Sequence, residues 1–281
     1  MAFAFPDLPD DFLVADAAFA EAYDACSSEE RASVKTAIAR MAAVSGVADT
    51  VVRHTHARMR QGFSLHATSC PASWAMVLWD SAYTSPARVL AALMPAILAG
   101  VPNILVCRVV QDGTRFPQGL LAALELAGQE LVAECGPEDA LALVSRCCGE
   151  DARGRVILLG QDAVFGGIGR VAAERGVPLL WYGAPARIGI VASSFAGPVD
   201  DAALRFAHPE AVLAAFEEGG AQEAFSAIFC AEAAVLQYLG EAPLVLSPGN
   251  ESYWVWPGLF RDFFMETVLG VSSDAPDISA P

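Results

Sequence analysis

Hydrophobic positions recur at helical spacing through the first 60 residues of the chain. Residues 16–26 and 28–44 place apolar side chains on one helical face, which predicts two amphipathic helices. Ser28 opens the second segment, and serine is among the residues preferred at a helix start. We therefore expect residues 1–60 to form a helical N-terminal region.

From about Met76 the pattern changes to short apolar runs that alternate with stretches rich in alanine and leucine. The apolar runs predict strands at residues 76–79, 104–108, 131–135, 156–160, 178–182 and 188–193. The intervening stretches predict helices at residues 86–99, 118–127, 138–147 and 163–175. Strands that alternate with such helices are typical of right-handed crossovers in a mostly parallel sheet. The prediction for residues 61–195 is a doubly wound, Rossmann-like α/β core.

The alternation is lost after Ser194. Helical spacing predicts helices at residues 198–205, 209–217, 221–239 and 259–269, and one apolar run at 244–246 predicts a strand. We expect residues 196–281 to be a C-terminal helical region with one returning strand, packed on the core. The last ten residues are expected to fray.

Composition narrows the function classes. The formal net charge is −16 and the 17 lysines and arginines are scattered without a run, which argues against nucleic acid as a partner.

Hydrophobic residues make up 54% of the chain, and we expect this to be more apolar surface than a single core can bury. We therefore predict a homo-oligomer, and a dimer in particular.

The cysteines and the N-terminus favour a reducing compartment. Seven cysteines are an odd number, and none lies in a C-x-x-C motif, so a disulfide framework is not expected. The N-terminal segment lacks the basic residues with which a secretory signal begins. A cytoplasmic location is the expectation.

One uncharged segment has nearly the length of a membrane span. Residues 89–107 carry no charge over 19 positions. However, Pro95, Gly100 and Pro102 interrupt the segment, and a buried helix ending at Gly100 before a turn and a strand explains the same residues. We do not expect the chain to cross a membrane.

Two separated blocks carry a family resemblance. Residues 85–101 read S-P-A-R-V-L-A-A-L-M-P-A-I-L-A-G-V, and residues 121–144 contain L-A-G followed by G-P-E-D-A-L-A. The first block resembles the P-S-S-V-L-x-x-x-x-P-A-x-x-A-G-V segment of histidinol dehydrogenases. Both place a proline inside an apolar helix, which is costly unless the tertiary structure uses the kink. Residues 183–192 are similar to that family's A-G-P-S-E-V-L-V-I-A strand. The resemblance implies an aldehyde- or histidinol-dehydrogenase-like fold, with NAD as a possible cofactor.

The same resemblance marks candidate cofactor-binding residues at the ends of predicted strands. They fall where the family has its P-G-G turn, its G-G-A-Q loop and its G-P-G-N segment. The candidates are Asp80, Tyr83, Gly136, Asp139, Gly160 and Asp162. Two departures weaken a dinucleotide site: the P-G-G glycines are absent, and the Asp139 carboxylate would repel a pyrophosphate.

The family's metal and catalytic segments have no counterpart here. Residues 195–198 lead into a helix that lacks the glutamine and histidine of the family's zinc segment, and no Glu-His pair matches its catalytic one. The chain is also shorter than those enzymes. We therefore expect no zinc and assign no catalytic residue.

Residues 167–172, G-I-G-R-V-A, fit the dinucleotide fingerprint G-x-G-x-x-A. A working fingerprint follows a strand directly, so that the phosphates meet a helix N-terminus. Here the glycines fall in the middle of a predicted helix. Close helix packing is the favoured interpretation.

His54, His56, His66 and Cys70 are possible zinc ligands within 17 residues. Their spacing is not a common zinc pattern, and on a helix His54 and His56 would point in different directions. A solvated basic patch is therefore favoured.

Three other features have structural interpretations. Residues 208–210, H-P-E, are typical of a helix start. Cys147 and Cys148 are expected to be packed thiols of ordinary reactivity. Trp254 and Trp256 could line a pocket or the core, and the core is favoured.

Two functions follow from these observations. The preferred hypothesis is a histidinol-dehydrogenase-like protein that has lost the dehydrogenase chemistry and serves as a small-molecule-binding, regulatory or assembly module. The alternative is an NAD(P)-dependent oxidoreductase that acts on a small alcohol or aldehyde with a rebuilt active site. In that case Asp80, Tyr83, Asp139 and Asp162 are its candidate groups.

Overall fold

The chain folds into α/β layers built around two parallel sheets. The structure is a computed structural model that describes residues 3–111, 113–183, 185–191, 199–217 and 224–273, and only the backbone of Asp162. The helices are α1 (Asp16–Ala25), α2 (Ser28–Ser45), α3 (Pro86–Ala99), α4 (Gln118–Leu126), α5 (Pro137–Glu150), α6 (Asp162–Glu174) and α7 (Asp201–Ala207). Short 3-10 helices lie at Glu232–Ala234 and Arg261–Phe264.

The strands fall into three sheets in the described part of the chain. They are β1 (Arg53–Met59), β2 (Phe63–Pro71), β3 (Trp74–Asp80), β4 (Ile104–Val109), β5 (Val132–Cys135), β6 (Gly154–Leu159), β7 (Leu179–Tyr182), β8 (Arg187–Val191), β9 (Val212–Phe216), β10 (Ala227–Phe229), β11 (Val245–Leu246) and β12 (Met265–Ser273).

The central sheet is parallel and has the order β5-β4-β3-β6-β7. Every residue of β3 is buried, because helices cover both faces of the sheet. Val77 and Trp79 share one hydrophobic cluster with α3 and α4, while Met76 and Leu78 share the other with α5 and α6. The predicted doubly wound, Rossmann-like α/β fold is confirmed.

A second parallel sheet has the order β11-β10-β8-β9. The helix predicted at residues 209–217 is wrong, since β9 occupies Val212–Phe216. A five-residue apolar run fits a buried strand as well as one helical turn, and pairing with β8 decides between them here. The helix predicted at 221–239 is also wrong where it is described, because β10 and the 3-10 helix at Glu232–Ala234 lie there.

The third sheet is antiparallel, with the order β1-β2-β12. The helical character predicted for residues 1–60 is therefore wrong at β1, and the helix predicted at 259–269 is wrong because β12 begins at Met265. β12 pairs with β2, nearly two hundred residues earlier, so no local window of sequence shows this pairing. Buried Arg155 of β6 anchors the start of β12 by donating to the carbonyls of Phe263 and Met265 and by pairing with Glu266 at 3.0 Å.

Some sequence predictions lie outside the described residues. They include the end of the strand predicted at 188–193, the first residue of the helix predicted at 198–205 and the C-terminal tail from residue 274. The division into regions 1–60, 61–195 and 196–281 stays a prediction. The apolar segment that begins at Val89 belongs to α3, which ends at Gly100 in the left-handed conformation, as predicted. None of the described helices combines the length and the apolar character that spanning a bilayer requires.

Gly154 is a position where the core leaves no room for a side chain. A methyl group there would meet the indole ring of buried Trp74, which donates a hydrogen bond to the Asp151 carbonyl. Gly154→Ala is expected to lower the free energy of unfolding by about 1–3 kcal/mol because the ring must move. Urea denaturation measures this. Gly149→Ala, in α5 with open space around it, is the control and should be neutral or stabilising by up to ~1 kcal/mol. Equal effects of the two substitutions would contradict the packing.

Candidate functional site

The central sheet reverses its direction of winding between β3 and β6. The chain runs outward from β3 to β4 and β5, then returns to place β6 and β7 on the other side of β3. In sheets of this kind ligands bind beyond the carboxyl ends of the strands at the reversal point. Here that point lies between Asp80, at the end of β3, and Gly160, directly after β6.

A carboxylate of the chain itself occupies the reversal point. Asp80 is buried, and its Oδ2 accepts a hydrogen bond of 2.8 Å from the backbone N–H of Gln161. Its Oδ1 accepts a second from Ala82 N–H at 3.1 Å. Gln161 is the N-cap residue of α6, where the backbone N–H groups and the helix dipole favour an anion. Asp80 therefore supplies the negative charge at this helix end.

Gly160 is required by the closeness of this contact. Its φ of +141° lies in a region that favours glycine, and an added Cβ would collide with the Asp80 carboxylate and the ring of Phe165. Its carbonyl accepts a hydrogen bond of 2.9 Å from Trp181 Nε1. In a dinucleotide site such a glycine makes room for phosphate, whereas here Asp80 fills that room.

The N-terminus of α3, which follows β3, is also covered. Ser85 is its N-cap residue and is fully buried; Oγ accepts a hydrogen bond from Arg88 N–H at 3.1 Å. The Ser85 hydroxyl donates to the carbonyl of Ala207, at the end of α7, at 2.6 Å. The end of α7 therefore packs directly against the N-cap residue of α3.

Buried Arg88 is the centre of a polar and aromatic group that we call the Arg88 cluster. The cluster consists of Tyr83, Arg88, His208, Glu210, Trp254 and Trp256. Arg88 Nη1 pairs with Glu210 Oε1 at 3.1 Å, and its guanidinium carbon lies 4.3 Å from the Tyr83 ring centroid. The centroids of Trp256 and Trp254 follow at 5.0 and 5.5 Å. One ion pair and three aromatic faces thus surround this buried cation.

His208 connects the cluster to the loop before Trp254. Its Nδ1 lies 3.2 Å from Ser85 Oγ, and its Nε2 lies 3.0 Å from the Glu251 carbonyl, to which an Nε2–H donates. Burial and, second to it, the Arg88 charge lower the pKa of His208 to about 3, although the hydrogen bond to the Glu251 carbonyl opposes them. The ring is therefore neutral at physiological pH.

Ser85 and His208 have the distance of a nucleophile and its base but not the setting. Both are buried, and the single hydroxyl hydrogen of Ser85 is directed to the Ala207 carbonyl at 2.6 Å, closer than the imidazole nitrogen at 3.2 Å. A nucleophile needs an open approach for its substrate. We interpret the pair as a structural connection between α3 and α7.

The structure brings together only some of the predicted cofactor-binding residues. Asp80 and Gly160 are in contact, whereas Tyr83 packs on Arg88, where burial raises the pKa of its phenol. Gly136 and Asp139 follow the edge strand β5, two strands away from β3. Asp162 begins α6, and its side chain lies outside the described part of the chain. A cofactor role for these residues stays a prediction.

Sequence reasoning missed the Arg88 cluster. Residues 208–210 do not start a helix, because α7 ends at Ala207 and His208 is its C-cap residue. Glu210 instead pairs with Arg88, some 122 residues earlier. The signal available in the sequence was Arg88, the single charged residue of an otherwise apolar helix. A buried arginine of this kind needs a partner of opposite charge. The core positions favoured for Trp254 and Trp256 are confirmed.

The other motifs find structural roles. Gly167 and Gly169 lie within α6, where added Cβ atoms would lie 3.4 Å from Leu141 and 3.5 Å from Trp181, in agreement with the predicted helix packing. His56 and His66 stack across β1 and β2 with ring centroids 4.5 Å apart. The prediction that His54 and His56 lie on a helix and point apart is wrong. Both belong to strand β1, where alternate residues share a face. Among the described residues, no group of three or more His, Cys, Asp or Glu side chains is placed to hold a metal ion.

A cavity of about 310 Å³ lies between α2, α7 and the loop at residues 249–253. Its walls carry hydroxyls and carboxylates, several with partners within the chain. Ser33 and Ser252 share a hydrogen bond of 2.6 Å, and Glu251 Oε1 accepts from Gly249 N–H and Asp200 N–H. The lining residues include Glu29, Glu30, Ser33, Thr36, Arg40, Asp200, Phe206, Glu251, Ser252 and Tyr253.

Comparison with solved structures identifies a dehydrogenase-like fold. Histidinol dehydrogenase from Elizabethkingia anophelis superposes with a TM-score of 0.60 at 12% identity, covering 94% of this chain and 77% of that chain. Succinate-semialdehyde dehydrogenase from Burkholderia pseudomallei gives 0.48 at 11% identity, covering 87% and 77%. No protein-family model matches the sequence, and no curated protein does. At 12% identity, the similarity to histidinol dehydrogenase shows the fold alone. The similarity to succinate-semialdehyde dehydrogenase is too low to support any conclusion.

The neutral, buried state of His208 predicts a pH dependence of stability. The folded pKa of about 3 lies below the ordinary 6.5, so the unfolded chain binds the proton first as the pH falls. The stability that His208 contributes is complete above about pH 6.5 and is lost progressively below it.

Urea denaturation between about pH 7 and pH 4 measures this effect in the wild type and in a His208→Gln variant. Below about pH 6 the wild type should lose up to ~1.4 kcal/mol of unfolding free energy per pH unit more than the variant. Carboxylate titration is common to both proteins and cancels in the difference. Parallel curves would show that His208 is not held neutral.

Proposed function

We propose that this chain is a divergent relative of the histidinol dehydrogenases that has lost their dehydrogenase chemistry and binds a small polar molecule. The observation that carries the proposal is the Asp80 carboxylate at the N-terminus of α6. It stands at the reversal point of the central sheet, where dehydrogenases of doubly wound fold hold the pyrophosphate of their cofactor.

Charge and space both argue against a dinucleotide at this point. A pyrophosphate needs free backbone N–H groups and room beside glycine. Asp80 already accepts from Gln161 N–H, and its own negative charge would repel a phosphate. The neighbouring N-terminus of α3 lies under Ala207. These residues therefore do not fit NAD in the arrangement described.

The alternative is a working NAD(P)-dependent oxidoreductase that acts on a small alcohol or aldehyde. The likeness in fold to histidinol dehydrogenase favours it. It requires Asp80 to leave Gln161 and the end of α7 to move away from Ser85. Both changes would break hydrogen bonds of buried groups, which costs free energy unless the cofactor replaces them.

The cavity between α2 and α7 is the place we propose for the small molecule. Ser33, Thr36, Ser252 and Tyr253 offer hydroxyl groups there, and carboxylates outnumber the single guanidinium of Arg40. A neutral or positively charged polar molecule suits such walls better than an anion. This choice is independent of the argument against NAD.

The predicted homo-oligomer remains a proposal. β12 supports it, since Val268, Leu269 and Val271 expose more than half of their surface along this strand. Exposed apolar side chains on an edge strand are a typical site of association. The proposed dimer would bury them.

Wild-type protein should show no saturable binding of NAD⁺, NADH, NADP⁺ or NADPH in a calorimetric titration. Saturable binding together with oxidation of a small alcohol or aldehyde would establish the alternative.

Asp80→Asn tests whether the Asp80 carboxylate stabilises the start of α6, because the substitution removes the negative charge there. We expect it to lower the free energy of unfolding by about 1–3 kcal/mol. Asp139→Asn, an exposed acid in the first turn of α5, is the control and should change it by less than ~0.5 kcal/mol.

Thermal-shift measurements with small amines, amino alcohols and polyols test the cavity. At least one compound class should raise the Tm of the wild type in a saturable manner. Thr36→Tyr should abolish the shift by filling the cavity, whereas Lys35→Tyr, on the same helix but outside the cavity, should preserve it. Absence of any shift, or an equal shift in both variants, would exclude this location.

A further inference from the structure

Two cysteines lie against each other on adjacent strands of the central sheet. Cys107 belongs to β4 and Cys135 ends β5, and their sulfur atoms are 3.4 Å apart. In the strand register Cys107 faces Ala133 and Val109 faces Cys135, so the two thiols are diagonal neighbours on the same face. To reach the bonding distance of about 2.05 Å, the two sulfur atoms must approach each other by side-chain rotation together with a shift of the backbone, because diagonal neighbours lie farther apart than directly paired residues.

We propose that Cys107 and Cys135 form a reversible disulfide when the protein encounters a peroxide. The inference rests on the position of these thiols and does not depend on the proposed function. It gives Cys107 and Cys135 a chemical role, whereas the sequence by itself indicates only small hydrophobic side chains at these positions.

The two thiols differ in a way that suits this reaction. The two sulfur atoms share a hydrogen bond, and this contact lowers the pKa of Cys135 and raises that of Cys107. Cys135 is also the more accessible residue, since it retains 5% exposure while Cys107 has none. Cys135 is therefore the attacking thiolate, and Cys107 is the thiol that resolves the product.

The other core cysteines lack these properties. Burial raises the pKa of Cys147 to about 12 and that of Cys148 to about 11. Both lie in the same hydrophobic cluster as the reactive pair. They are therefore matched controls for burial without activation.

The reaction balances with hydrogen peroxide as the oxidant. The Cys135 thiolate attacks one peroxide oxygen, the O–O bond breaks, and hydroxide leaves with a proton to become water. The resulting sulfenic acid is attacked by the Cys107 sulfur, the S–O bond breaks, and a second water leaves with the Cys107 proton. Two thiols are thus oxidised by two electrons, and one peroxide is reduced to two waters.

The location makes the bond reversible and gives it a structural effect. Diagonal neighbours are farther apart than directly paired residues, so the bond is strained and easily reduced by a small thiol. Cys135 directly precedes Gly136, the N-cap residue of α5. Oxidation therefore pulls on the start of α5, beside the candidate residues Gly136 and Asp139.

Tryptic cleavage separates the two cysteines into peptides that each contain no other cysteine. Cleavage after Arg88, Arg108, Arg115 and Arg146 releases residues 89–108 with Cys107 and residues 116–146 with Cys135. The full chain is treated with hydrogen peroxide, quenched with an alkylating agent in denaturant, digested and analysed by mass spectrometry. The expected product is a cross-linked pair of these peptides, two hydrogens lighter than their sum, which disappears after dithiothreitol treatment.

Variants assign the roles of the two sulfurs. Cys135→Ser should give no cross-link, and Cys107→Ser should accumulate a sulfenic acid on Cys135 that dimedone traps. Cys148→Ser should behave as wild type. Cys135 should react at least about tenfold faster than Cys147 or Cys148, since each pKa unit changes the thiolate fraction tenfold. Circular dichroism confirms that each variant folds, and the wild-type cross-link is a test that needs no variant.

Three results would overturn the proposal. One is oxidation of Cys135 to sulfinic acid while Cys107 stays free for alkylation. Another is a disulfide that joins a different pair, such as Cys147 and Cys148. The third is full alkylation of both thiols after peroxide treatment that oxidises the methionines.

Discussion

The buried charge of Arg88 is the constraint on which the arrangement of the two parallel sheets depends. A guanidinium inside an apolar helix is strongly destabilising without a partner. Glu210 provides that partner from the connection between α7 and β9, and Thr84 holds the second carboxylate oxygen at 3.1 Å. The Arg88 carbonyl accepts from Trp256 Nε1 at 2.9 Å. The ion pair therefore fixes the end of α7 and the tryptophan loop against the start of α3.

This arrangement has a direct consequence for chemistry. The Ser85 hydroxyl donates to the end of α7, and its oxygen already accepts from one N–H of the helix that follows β3. Asp80 similarly uses the N-terminus of α6. The fold is dehydrogenase-like, but the two helix ends beside the reversal point already serve the stability of the chain. A fold does not imply a function, and the proposal that the dehydrogenase chemistry is lost depends on these few hydrogen bonds.

Two other parts of the molecule bring polar or sulfur groups together outside these two helix ends. The cavity beside α2 retains hydroxyl groups, and the β4–β5 pair retains two thiols in contact.

The sequence alone specified the central sheet and little of the site. Periodicity predicted β3 to β7 and their helices because strand and helix alternate within short windows, and Pro95 with Gly100 marked α3. Strands β1, β2, β9, β10 and β12 were missed. β12 is held by β2, which lies far away in the sequence, and β9 and β10 are held by β8, so tertiary pairing rather than local preference decides these three. β1 and β2 form a local hairpin, and there the period of the sequence was misassigned as helical at β1. The Arg88 cluster and the Cys107–Cys135 pair were also invisible, since each joins residues that only the packing of separate elements brings into contact. Local hydrophobic periodicity thus determined the alternating strands and helices of the central sheet. Which buried polar groups became partners was decided only by the tertiary packing, because a buried polar group needs a partner wherever the fold provides one.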